Sequence, residues 1–201
     1  MPRIVVPFAG AEGKTRLHTS PVARHELSLA MLGDVLDACE AVGPTTVVTG
    51  DPAARTLALG VGADVVSDPG AGQGAAVQAA LAGLAGPVLV VNADLPCLEP
   101  DDVRALVAHP LVATLALVEA ADGTTNALSL PRPDAFAPLY GPGSAARFRA
   151  HAAERGLAGV SLSIPNLVDD VDTVEDLHRL ASRCGPRTKA CLAELSVEAL
   201  R

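Results

Sequence analysis

Short apolar runs alternate along this chain with longer stretches in which apolar residues return every third or fourth position. The short runs are Arg3 to Phe8, Thr45 to Thr49, Asp64 to Val66, Val88 to Val91, Leu111 to Val118 and Val160 to Ile164, each predicting a strand. Pro87 and Pro96 leave the run Val88–Val91 too short for an ordinary helix, and it fits a central strand buried on both faces. Leu27, Met31, Val35 and Leu36 recur at helical spacing, which predicts a long amphipathic helix over Pro21 to Val42. Ser20 before Pro21 supplies an N-cap and a proline at the first helical position. Asp51-Pro52 opens a shorter helix ending near Gly60, and further helices are predicted over Ala75 to Leu84, from Glu99-Pro100-Asp101-Asp102 onward, from Ser144 to about Arg155, and over Val174 to Cys184. The acidic start at Asp101 and Asp102 complements the helix dipole. Thr173 with Asp176 fits a capping box. Strands alternating with helices at this spacing predict a parallel sheet built from right-handed crossovers. The residues after Cys184 form a polar, proline-broken tail, helical or irregular, in which we read no function.

Five segments between these elements carry the chemistry. Asp94, in Asn92-Ala93-Asp94-Leu95-Pro96, follows the central strand at its carboxyl end, where open α/β sheets bind ligands. A carboxylate there calls for a partner, and Mg²⁺ is commonly held by one or two carboxylates together with substrate phosphates. A second acidic group stands far along the chain at Asp169, Asp170 and Asp172. In an extended segment Asp170 and Asp172 share one side with Val171 opposite, and two carboxylates aimed at one point repel unless a cation lies between them. One acid of this group can equally serve as a helix cap, and the choice between Asp169 and Asp170 beside Asp172 is open. The expectation is that the two acidic groups meet over one metal and one nucleoside triphosphate.

The loop Ala9-Gly10-Ala11-Glu12-Gly13-Lys14-Thr15-Arg16 superficially resembles a P-loop, but Phe8 stands where that pattern needs a glycine. Its small residues, Gly10 and Gly13 among them, still let backbone N–H groups curl around an anion, while Lys14 offers a point charge and Arg16 a planar fork. A solvated surface turn is the plainer account. Gly70, Gly72 and Gly74, in Asp68-Pro69-Gly70-Ala71-Gly72-Gln73-Gly74, let the backbone pass close to a planar ring or a phosphate, or merely connect two elements. Thr124, Thr125 and Asn126 can bind a carboxylate or phosphate without adding charge, or form a hairpin turn. Tyr140-Gly141-Pro142-Gly143-Ser144 leads into a helix whose N-terminus is suited to an anion, with Ser144 as its N-cap.

A chain of 201 residues fits one domain, and with 49% hydrophobic but only 2% aromatic residues, Ala, Val and Leu must fill its core. The formal charge of −8 argues against nucleic acid or an anionic membrane as the main partner. No signal peptide or apolar membrane span is present in the sequence, so a cytoplasmic location is expected. Cys39, Cys97, Cys184 and Cys191 show no zinc-ligand spacing and read as reduced thiols. The five histidines are scattered, and none pairs with a serine or cysteine as a nucleophilic catalyst would require.

Taken in order, Lys14-Thr15-Arg16-Leu17, Ala93-Asp94-Leu95-Pro96, Thr125-Asn126-Ala127-Leu128, Gly141-Pro142-Gly143-Ser144 and Asp170-Val171-Asp172-Thr173 resemble the 2-phospho-L-lactate guanylyltransferase family of coenzyme F420 biosynthesis, whose actinobacterial members act on phosphoenolpyruvate. The resemblance covers about residues 3 to 180. It implies a three-layer nucleotidyltransferase (Rossmann-like) fold with a mostly parallel, mixed central sheet. It further implies Mg²⁺ on Asp94, Asp170 and Asp172, catalysis by Asp94 with Lys14 and Arg16 on phosphate, and the phosphorylated acid held by Thr125, Gly141 and Ser144. Gly10, Gly13, Lys14, Gly72 and Gly74 would contact the nucleotide. The reaction implied is transfer of GMP from GTP to phosphoenolpyruvate or 2-phospho-L-lactate, and the Ala-, Gly- and Arg-rich composition of a high-GC genome favours phosphoenolpyruvate. A molybdenum-cofactor-type or sugar-phosphate nucleotidyltransferase would share the sheet and metal site, and a GTP-sensing module would bind without turnover. Oligomeric state is open, a homo-oligomer included.

Overall fold

Alternate residues of a strand face opposite ways, and here each side finds helices to pack against. The computed structural model describes residues 1–10, 17, 19–108 and 113–195. Its strands are β1 (Arg3–Phe8), β2 (Thr45–Thr49), β3 (Asp64–Ser67), β4 (Val88–Val91), β5 (Thr114–Glu119), β6 (Thr125–Leu130) and β7 (Ala158–Ser161). They form a seven-stranded sheet in the order β3-β2-β1-β4-β6-β5-β7. Pairing is parallel except where β6 lies antiparallel between β4 and β5. The sheet is therefore mixed and mostly parallel, as the family resemblance implies; the crossover reading alone predicts parallel pairing, whereas β6 runs antiparallel to both neighbours.

The helices are α1 (Pro21–Glu40), α2 (Pro52–Val61), α3 (Gln73–Leu81), α4 (Pro100–Ala108), α5 (Ser144–Glu154), α6 (Pro165–Val168), α7 (Val174–Leu180) and α8 (Pro186–Glu194). Ile4, Val6, Leu89 and Val91 turn one way, against Leu36 of α1, Ala58 of α2 and Leu106 of α4. Val5, Val88 and Val90 turn the other way, against Val77 of α3 and Phe148 of α5. Two helical layers thus enclose the sheet. The expected starts are realised: Ser20 accepts from Ala23 N, Asp51 from Ala53 N and Ala54 N, and Thr173 with Asp176 closes a capping box. Among the described residues no helix is long and apolar enough to cross a membrane.

Three expectations about boundaries and one about the tail are corrected. The helix expected over Ala75 to Leu84 begins at Gln73, because Gly72 at φ +88° turns the chain into it, and ends at Leu81, since Ala82 is extended. The strand expected to reach Ile164 stops at Ser161 and gives way to α6, whose Pro165 holds Ile164 extended. The helix expected to reach Cys184 stops at Leu180, before a turn in which Arg183 N and Cys184 N both bond to Leu180 O. The tail is not idle: α8 lies on α1, where the buried Asp34 carboxylate accepts from Arg187 N at 3.0 Å and Thr188 N at 2.9 Å. This cap explains how α1 buries its polar position Asp34, while the buried Ser28 hydroxyl is satisfied within the helix by Arg24 O.

Candidate active site

The parallel strands β1 to β4 end along one edge of the sheet, and the turn after β4 carries Asp94 there. Val171 N donates to Asp94 O at 3.0 Å, a long-range bond that draws the second acidic segment onto this turn. As a result one carboxylate oxygen each from Asp94, Asp170 and Asp172 lies within 4.8 Å of the others, all three side chains half-buried. Acids about eighty positions apart in sequence thus meet, and three carboxylates are a donor set for a hard divalent cation.

Asp169 does not join them. It faces Arg179 at 2.6 Å and Arg183 at 2.9 Å. Partial burial raises its pKa, but the two guanidinium groups outweigh burial and hold the carboxyl below the ordinary range. Asp169 therefore anchors the segment from outside, which leaves Asp170 as the partner of Asp172. From inside, the buried Asn126 amide donates to Leu167 O at 3.0 Å and Val168 O at 3.3 Å. Asp176, held low despite partial burial by bonds from Thr173 and Arg179, accepts from the N–H groups of Asp172 and Thr173. Each end of the acidic segment is thereby pinned.

A cleft of about 420 Å³ opens beside the three acids, in the size range of small-molecule sites. Asp94 and Asp172 line it together with Phe8, Gly10, Gln73 and Asn92, and Asp68, Gly70 and Gly72 extend its wall. Gly10 and Gly72 thus stand where a nucleotide contact was expected. Gly74 does not line the cleft: it sits in the first turn of α3, and a Cβ there would come within 2.5 Å of Pro138 Cβ, so packing demands the glycine. Gly13, Lys14 and Arg16 lie outside the described residues.

Thr125, Gly141 and Ser144 form a second group that does not line this cleft. Gly143, not Ser144, precedes the first residue of α5, and the Ser144 hydroxyl donates instead to Thr125 Oγ1 at 3.0 Å with both residues buried. The N–H groups of Ser144 and Ala145 bond to Gly141 O and Gly123 O, so part of the helix N-terminus is already satisfied. Gly141 takes φ +104°, a conformation that favours glycine. Its loop is held by Arg147, which donates to the carbonyls of Leu139, Tyr140 and Pro142, and by the packing of Tyr140 edge-on against Phe148 at 5.4 Å.

Asn92 joins the two groups. Its Oδ1 accepts from Gln73 Nε2 at 2.7 Å on the cleft side, and its Nδ2 donates to Thr125 O at 3.2 Å on the other. Sequence reasoning singled out neither Gln73, Asn92 nor Arg147, and it read the Asn126 amide as a ligand contact rather than as a positioning group. The available signals were the amide two residues before Asp94 and the arginine one helical turn beyond Gly143.

Residues 2–197 match the family model described as "Guanylyl transferase CofC like". The chain is 38% identical over 193 residues to a phosphoenolpyruvate guanylyltransferase of Conexibacter woesei, covering 89% of this chain and 86% of that one. It is 39% identical over 166 residues to the protein of the same name in Roseiflexus castenholzii, covering 81% and 78%. Among solved structures it is similar to a putative nucleotide-diphospho-sugar transferase from Desulfovibrio desulfuricans, with a TM-score of 0.76 at 19% identity over 96% of this chain and 94% of that one. A nucleotidyl transferase from Methanothermobacter thermautotroptrophicus gives 0.64 at 19% identity, over 96% and 98%. At such identities the structural likeness speaks for the fold alone.

Proposed function

The chain belongs to the guanylyl transferase CofC-like family and is a nucleotidyltransferase, and from that premise we propose that it transfers GMP from GTP to the phosphate of phosphoenolpyruvate, releasing pyrophosphate. The observation that carries this reading is the meeting of Asp94, Asp170 and Asp172 beside a nucleotide-sized cleft. The relatives' names supply the acceptor; 2-phospho-L-lactate, which differs only around C2 and C3, is the alternative to test against it.

In the reaction an ionised oxygen of the acceptor phosphate forms a bond to the α-phosphorus of GTP, and the bond from that phosphorus to the α,β-bridging oxygen breaks. The acceptor is already a nucleophile, so no side chain has to remove a proton, which agrees with a cleft whose described lining carries no histidine and whose Ser28 hydroxyl donates to Arg24 O. The donor set fits Mg²⁺, with Asp94, Asp170 and Asp172 as the residues that would hold it. Bound there, the ion would supply charge neutralisation and a template for the phosphates. The chain's own part is alignment. Asn126 and Asp169 fix the acidic segment, Gly10 and Gly72 leave backbone close to the nucleotide, and Arg147 sets the Gly141 loop where the acceptor is to lie.

The test is a panel: protein, Mg²⁺ and GTP with phosphoenolpyruvate, 2-phospho-L-lactate, a sugar 1-phosphate or a molybdopterin, reading pyrophosphate and product mass. Guanylylated phosphoenolpyruvate is the expected product. Turnover with only a sugar phosphate or a pterin would refute the acceptor, and GTP binding without pyrophosphate from any acceptor would mark a sensing module.

A further inference from the structure

Asp94 and Asp172 stand at one end of the cleft; the other end has an acid of its own. Asp68 follows β3, and its N–H bonds to Thr49 O, continuing the ladder with β2. The strand order β3-β2-β1-β4 separates the carboxyl ends of β3 and β4 by three strand spacings, on the order of 14 Å at ~4.8 Å each. A nucleotide with its phosphates at Asp94 spans that distance toward β3, because the cleft continues to Asp68, Gly70 and Gly72. A Cβ added at Gly70 or Gly72 would meet nothing within 4 Å, so the backbone there presents an open face of the kind a flat ring can lie against.

We propose that Asp68 selects the base, its carboxylate accepting the adjacent N1–H and N2–H hydrogens of guanine; this rests on the guanylyl-transfer reading above. The other acid at this edge, Asp51, is already engaged: its Oδ1 accepts from Ala53 N and Ala54 N, and its Oδ2 lies 2.6 Å from His25 Nε2. Asp68 Oδ1 accepts from Gly70 N at 2.8 Å, an Asx turn that fixes the side chain, and among the described residues no hydrogen bond engages Oδ2. An ionised carboxylate only accepts, and each oxygen has two lone pairs, so the turn leaves capacity for two donors side by side. Guanine presents two such donors. Adenine presents the acceptor N1 next to one donor, which sets lone pair against lone pair and leaves a polar group unpaired.

Asp68→Asn isolates this role, because the amide oxygen keeps the bond from Gly70 N–H while an NH₂ replaces Oδ2. In that variant the amide NH₂ faces the 2-amino group of guanine, donor against donor, whereas xanthine is accepted, because its 2-oxo group takes a hydrogen bond while its N1–H bonds to the amide oxygen. The experiment is competition of GTP, ITP, ATP and XTP against a fluorescent GTP analogue, with Mg²⁺ present, for the wild-type chain and Asp68→Asn, and kcat/KM for the same nucleotides where turnover is seen. The wild type is expected to prefer GTP over ITP and ATP. In Asp68→Asn the preference for GTP over XTP should fall about tenfold to a hundredfold, the effect of a charge-assisted hydrogen bond exchanged for a mismatch. An unchanged GTP-to-XTP ratio in the variant would overturn the proposal. Because competition reads base preference without turnover, failure of transfer with every acceptor would sink the guanylyl-transfer reading and leave the base preference measured separately.

Discussion

Replacing Asn126 by leucine removes the donor that ties the acidic segment to the sheet while keeping the branched skeleton of the side chain. The amide is 1% exposed and bonds to two carbonyls, Leu167 O and Val168 O. A net hydrogen bond is worth about 1 kcal/mol, and a buried acceptor left unsatisfied costs about 1–3 kcal/mol, so the loss should be roughly 2–4 kcal/mol. For a chain of this size that lowers Tm by about 5–15 °C. A purely structural amide would do no more. Since Asp170 and Asp172 lie on the same short segment, just beyond Asp169 and the two carbonyls, the account also requires the metal site to loosen, by about 10- to 100-fold as for other residues that orient ligands. The assay is a Mg²⁺ titration of pyrophosphate release beside thermal melts in EDTA. The half-saturating Mg²⁺ should rise at least tenfold and saturating Mg²⁺ should recover most of kcat. A lowered Tm with the wild-type Mg²⁺ midpoint would refute the positioning role.

Acid sensitivity should be traceable to Asp169. Its folded-state pKa lies below the ordinary value of about 3.9, so the stability from its Arg179 and Arg183 pairs is complete above that value and is lost as pH falls through the folded one. Melts between pH 6 and pH 3 should therefore fall more steeply for the wild type than for Asp169→Asn below about pH 4, and parallel curves would contradict the assignment. Asp34→Ala strands one buried and one part-buried N–H group of α8 and should cost about 2–4 kcal/mol in denaturant unfolding, against near-zero cost if α8 is dispensable. Arg147→Ala should raise KM for the acceptor at least tenfold while KM for GTP stays within about twofold. Equal changes in both would show that the Gly141 loop does not serve the acceptor alone.

What could be read from the sequence followed from local rules. The strand Val88–Val91, the caps at Ser20, Asp51 and Thr173, and the approach of Asp170 and Asp172 to one side all depend on neighbours a few positions apart. The gathering of Asp94 with that pair was readable only as chemistry, since like charges aimed together imply a cation. The misjudged features depend on contacts remote in sequence. Ser144 looks like an N-cap by type, but Thr125 offers its hydroxyl a partner, so Gly143 takes the capping position. Gly74 looks like a ligand-facing glycine, yet Pro138 sets its requirement. Strand β6 reads like any other apolar run, and its antiparallel direction follows from the five-residue link to β5, too short for a crossover. The Gln73–Asn92–Thr125 link left only a weak sequence signal, the amide two residues before Asp94, because amides carry no charge and no periodicity.

The central claim is that Asp94, Asp170 and Asp172 hold one divalent cation for the nucleotide. Mn²⁺ binding, followed by its EPR signal with GTP present, tests it directly in the wild type, Asp94→Asn and Asp172→Asn. The account predicts one tight site in the wild type, weakened at least tenfold in each variant while circular dichroism stays unchanged. Equal Mn²⁺ affinity in all three proteins would contradict it.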